Sequence, residues 1–153
     1  NNLQKSNIYI GPKEWTKLLK DKKIHVIDVR NEYEISVGKF KNSINPHTNS
    51  FREFPKSLKK IKVSKEDKIA MYCTGGIRCE KASTYLKSKG YRNIIQLKGG
   101  ILNYLKSNDK KIINKNWKGE CFVFDERVTI NKKLKKGKYI QCYGCRMPLS
   151  RKD

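Results

Sequence analysis

A chain of 153 residues and 17.9 kDa has room for one compact domain and a short appendage. Its 37% hydrophobic content, with 10% aromatics, argues against a wholly disordered polymer, and no apolar run approaches the roughly 20 residues of a membrane span. The balance of 36 basic to 14 acidic side chains, net +22, points to a polyanionic partner or to a drifted, solvated lysine surface, and composition alone leaves both open.

Ile8–Ile10 reads as a short strand. Gly11-Pro12 breaks it, and Pro12 suits the first turn of a helix through about residue 20, with Trp15, Leu18 and Leu19 as its apolar stripe. Residues 24–29 form a short, nearly continuous apolar run, as in a buried parallel strand. A short helix is predicted at 32–37, an extended or looped segment at 40–44, and a helix at 51–60. Lys68–Tyr72 is a second buried strand and runs directly into Cys73. A helix over about 79–89, the strand Asn93–Leu97 and a helix over 101–107 follow. Strands alternating with helices imply an α/β domain with a central, mostly parallel sheet flanked by helices. The polar stretch 106–118 reads as a linker. The expected organisation is an N-terminal linker at 1–7, a domain at 8–107, and a small basic, cysteine-containing extension at 108–153.

Cys73-Thr74-Gly75-Gly76-Ile77-Arg78 is the most informative segment. The glycines let the backbone curl so that several N–H groups point inward, and the helix that follows adds the positive end of its dipole. Arg78 supplies a cation. Such a cradle stabilises a thiolate, and a thiolate there is a nucleophile. Together with Ile27-Asp28-Val29-Arg30 and Leu97-Lys98-Gly99-Gly100-Ile101, the loop resembles a rhodanese domain, whose cysteine can carry a persulfide. The six-residue loop is similar to that of sulfur-handling members, whereas a related phosphatase group carries one residue more.

The resemblance narrows further. The stretch Cys73-Thr74-Gly75-Gly76-Ile77-Arg78-Cys79-Glu80-Lys81-Ala82-Ser83 resembles the bacterial tRNA uridine-34 hydroxylase family. So do Phe51-Arg52-Glu53-Phe54-Pro55 and Gly119-Glu120-Cys121-Phe122-Val123-Phe124-Asp125-Glu126-Arg127-Val128, so that the likeness covers roughly residues 8–150. It implies oxygen-dependent hydroxylation of the wobble uridine of tRNA to 5-hydroxyuridine, with Cys73 as a catalytic, persulfide-type nucleophile. It also implies molecular oxygen as co-substrate, the tRNA anticodon region as partner, and an additional N-terminal α/β domain in the full-length protein. No resident cofactor is required by the sequence. A plain sulfurtransferase and a non-catalytic tRNA-binding module are the alternatives.

Other residues carry weaker expectations. Asp28 and Arg30 brace the site through an ion pair, and Cys79 is either a resolving thiol or a bystander. His25 is a packing residue in its strand, and His47 is exposed in a loop. Basic charge is lopsided: residues 1–77 hold 16 basic and 8 acidic groups, residues 78–153 hold 20 and 6. Within the second half Lys132, Lys133, Lys135, Lys136 and Lys138 form the densest run, a candidate nucleic-acid contact. Cys142-Tyr143-Gly144-Cys145 supplies half of a four-ligand zinc site, and metal-free thiols are the favoured reading. Five cysteines, an odd number, and an N-terminal stretch without an apolar signal core lead to the expectation of a reducing, cytoplasmic location. The absent initiator Met suggests a piece of a longer chain or a reduced member of the family.

Overall fold

A computed structural model describes residues 8–142 and 144–150; the linker expected over 1–7 lies outside the described residues. Strand β1 (Ile8–Ile10) leads into helix α1 (Pro12–Leu18), which Pro12 opens and which buries Trp15 and Leu18. Strand β2 (His25–Asp28), the one-turn helix α2 (Glu32–Ile35) and strand β3 (Gly38–Phe40) follow. The helix expected over 51–60 is divided: a 3-10 turn, Phe51–Glu53, precedes helix α3 (Phe54–Lys60), which has a proline in its first turn. Strand β4 (Lys68–Tyr72), helix α4 (Ile77–Ser88), strand β5 (Asn93–Leu97) and helix α5 (Gly100–Ser107) complete the alternation. The four long-range strands form one parallel sheet in the order β1-β5-β4-β2.

Side-chain alternation divides the core between the two faces of this sheet. Val26, Ala70 and Tyr72 join Trp15, Phe40, Leu97, Ile101 and Tyr104 on one side. Ile27, Ile69 and Met71 join Phe54, Leu58, Ala82 and Leu86 on the other. Cys73 continues the parity of Ile69 and Met71, so it leaves the strand on the face against which α4 packs.

The segment read as a linker is not one. Residues Lys110–Asn116 form helix α6, capped by Asp109 Oδ1, which accepts from the Ile112 amide at 2.9 Å, and its Ile113 is buried. One capping side chain and one buried isoleucine stabilise a helix whose composition is otherwise that of a loop, because the partner surface lies elsewhere in the chain. Strand β6 (Trp117–Gly119) then pairs antiparallel with β3, and Trp117, Cys121 and Ile130 enter the same core as Trp15 and Phe40. Strands β7 (Cys121–Phe122) and β8 (Thr129–Ile130) pair with each other, and β9 (Tyr139–Gln141) pairs with β10 (Pro148–Ser150). No helix among the described residues is long and apolar enough to cross a membrane.

Candidate active site

Cys73 sits immediately after β4 and is 1% exposed. Gly76, at φ +99°, turns the chain into α4, which therefore starts at Ile77, two residues before the sequence-based expectation. The Gly76 amide donates to Cys73 Sγ at 3.0 Å. The loop's carbonyls point the other way. Those of Cys73 and Thr74 accept from the Ile101 and Leu102 amides of α5 at 3.0 and 3.2 Å. Gly100 makes this docking possible, because a Cβ there would lie 2.5 Å from both carbonyl oxygens. With the carbonyls held by α5, the Gly76 amide faces the sulfur.

The Cys73 thiol ionises at about 6 instead of the ordinary 9.0. The main cause is a hydrogen bond from the Cys79 side chain, which outweighs the cost of burial; the Cys79 amide, the Arg78 charge and the Gly76 amide add to it. Cys79 moves in the opposite direction, since the neighbouring Cys73 sulfur and burial both keep it protonated. At neutral pH the loop thus holds a thiolate with a thiol donor beside it.

Among the curated family models, that of the rhodanese-like domain matches residues 11–107. The chain belongs to the rhodanese-like domain family. A rhodanese-related protein from Thermoplasma volcanium is similar at 26% identity and a TM-score of 0.55, over 66% of this chain and 93% of that one. A rhodanese-like domain protein from Staphylococcus aureus is similar at 25% identity and a TM-score of 0.54, over 67% and 93%. A relative from Pelagibacter ubique (strain HTCC1062), named tRNA uridine(34) hydroxylase, is 55% identical over 149 residues, 97% of this chain. The chain spans about half the length of that relative, 48%.

Two ion pairs, one fully buried and one part-buried, brace the rhodanese loop. Asp28 and Arg30, both fully buried, form a fork with Nε–Oδ1 at 2.9 Å and Nη2–Oδ2 at 2.7 Å. Burial works against the Arg30 charge, but Asp28 overcomes it and raises its pKa. The guanidinium also donates to the Gly38 carbonyl at 2.7 Å and stacks between the Tyr72 and Trp117 rings. Arg30 therefore ties β2 to β3 and to the C-terminal strands behind the loop. The second pair escaped the sequence reading. Arg78 donates to both carboxylate oxygens of Glu34, at 2.5 and 2.7 Å, and to Thr74 Oγ1 at 3.3 Å. Glu34 is fully buried and also receives the Asn31 amide at 3.0 Å, the return half of a capping box. The spacing Asn31-x-x-Glu34 is a legible cap signal, but its pairing with Arg78 is a tertiary fact.

The remaining loop and candidate residues divide. Thr74 and Gly76 are half-buried, and Gly75 and Ile77 are exposed at the mouth. His25 Nε2 lies 3.2 Å from Asp67, and His47 Nδ1 lies 2.9 Å from Glu32. Lys132, Lys133 and Lys138 line a groove of about 700 Å³ together with Lys110 and Asn131. Lys135 and Lys136 occupy the adjoining exposed turn. Cys142 and Cys145 lie at the C-terminal hairpin, where the Cys145 amide approaches Cys142 Sγ at 3.5 Å. Among the described residues, no group of three or more His, Cys, Asp or Glu side chains is placed to hold a metal. Cys121 is a buried strand residue whose thiol burial pushes up to about 12.

Proposed function

We propose that this protein is a tRNA-modifying oxidoreductase that hydroxylates the wobble uridine of tRNA, position 34, at the Cys73 loop. One observation carries the reading: 55% identity to a protein named tRNA uridine(34) hydroxylase, sustained over 149 residues and so beyond the rhodanese segment 11–107. The net charge of +22 suits a polyanionic substrate, with Lys110, Lys132, Lys133 and Lys138, which share a groove with Val37, Leu105, Ile113 and Glu120, as a backbone contact. In this reading molecular oxygen is the co-substrate. One oxygen atom is inserted into the C5–H bond of uridine to give the C5 hydroxyl, and the other leaves as water, its two electrons and two protons coming from an external thiol reductant that leaves as a disulfide. Cys73 acts as the thiolate or as its persulfide, with the Cys79 thiol donating to the sulfur and Arg78 supplying positive charge.

Nucleoside mass spectrometry of tRNA tests this in cells that lack the gene and any redundant pathway. Wild-type protein restores 5-hydroxyuridine and Cys73→Ser does not. If the deletion leaves 5-hydroxyuridine unchanged, the reading is wrong. Simple sulfur transfer, which the low thiol pKa also suits, instead predicts turnover with a small sulfane-sulfur donor and no change in tRNA.

A further inference from the structure

Two of the large apolar side chains left in solvent lie at the mouth of the Cys73 loop: Ile77, 80% exposed, and Phe124, 66% exposed. Phe124 is not a loosely held surface residue. It follows β7, and the turn that presents it is closed at its base by the Val123 amide on the Val128 carbonyl at 2.8 Å. Asp125, on the exposed side of the same turn, accepts from the Arg127 amide at 2.9 Å and from its guanidinium at 2.7 Å. One ring edge rests on Phe122 at 5.0 Å, and Phe122 in turn rests on Tyr33 at 5.1 Å. The Arg78 guanidinium lies over the Phe124 ring at 5.6 Å. Arg78 also contacts Thr74, so the aromatic ring is one residue removed from the loop that holds the reactive sulfur.

A planar ring, fixed, mostly solvated and backed by a guanidinium beside a thiolate, is what an unpaired nucleobase needs as a stacking partner. A base whose ring carbon is to be modified must leave its own stack, and an enzyme replaces that stacking with aromatic or apolar walls. The strongly basic chain supplies attraction for the polynucleotide that carries the base. We infer that Phe124 is the stacking platform on which the target nucleobase is laid against the Cys73 loop, with Ile77 as an apolar rim. The inference rests on the proposed uridine hydroxylation and names a residue that sets substrate binding in it.

The full-length protein and an anticodon stem-loop RNA carrying fluorescent 2-aminopurine in place of the target uridine test this directly. Wild-type protein quenches the fluorophore on binding, and Phe124→Ala binds without quenching. With the natural stem-loop, Phe124→Ala lowers kcat/KM roughly tenfold or more, mostly through KM. Phe124→Tyr restores both signals, whereas Phe124→Leu, apolar but not planar, does not. Thermal melting of each variant separates loss of stacking from loss of fold, and Phe124→Leu keeps apolar bulk where alanine leaves a gap. Quenching and kcat/KM unchanged in Phe124→Ala, or equal rescue by leucine and tyrosine, overturns the inference and leaves the hydroxylase reading intact. Wild-type protein that hydroxylates no tRNA removes both.

Discussion

The two cysteine clusters of this chain have the same residue type and opposite surroundings. Cys73 and Cys79 are buried between a strand end and a helix start, with α5 fixing the loop carbonyls from outside. Cys142 is half-buried and Cys145 exposed on a C-terminal hairpin. Both clusters lower one thiol's pKa, Cys142 chiefly through the Cys145 amide. The difference lies in what holds the donors. At Cys142 the donors come from its own turn, which solvent can compete with. At Cys73 the donors also come from its own loop and the start of α4, but α5 and Glu34 hold that loop from outside and the sulfur is buried, where each hydrogen bond and charge counts for more. A low pKa can therefore arise from a local turn, whereas an organised nucleophile needs tertiary support.

The largest test of that contrast is functional. Cys73→Ser abolishes 5-hydroxyuridine formation in the complementation assay, while Cys142→Ser and Cys145→Ser retain it. Equal loss at both clusters would erase the distinction. A structural test is next in size. Glu34→Ala strands Arg78 beside the loop and lowers stability by about 3 kcal/mol in urea unfolding. Asp125→Ala, which breaks the exposed Arg127 pair, leaves the urea midpoint unmoved. The smallest effect is on ionisation. In wild type the thiolate absorbance of Cys73 titrates near pH 6, and Cys79→Ala moves the midpoint upward because its main hydrogen-bond donor is gone. Cys79→Ser keeps a donor and falls between the two. Because the folded value lies below the ordinary 9.0, the thiolate's contribution to stability is complete above about pH 9 and is lost as pH falls through about 6. Cys79→Ala narrows that window from its acid side.

Much of this was readable in advance where the signal is local. The parity of Ile69, Met71 and Cys73, the glycines after the strand and the arginine after the glycines all lie within ten residues. Helix α6 has the sequence of a linker, because a single Asp cap and a single buried isoleucine do not stand out from a lysine- and asparagine-rich segment. Glu34 lies in the helix predicted at 32–37, where its spacing from Asn31 marks a cap and nothing more. Its role depends on Arg78, 44 positions away, and no periodicity connects them.

The alternation of strands and helices, the face on which Cys73 emerges and the glycine-rich loop after β4 follow from local patterning alone. These depend on period-two and period-3.6 patterning and on the backbone freedom of glycine, which act over a few residues. That α5 clamps the loop's carbonyls, that Glu34 pairs with Arg78 and that Phe124 stands beside them follows only from the folded arrangement. Those contacts join segments far apart in the chain, and their energies exist only once the sheet and its two cores have brought the segments together.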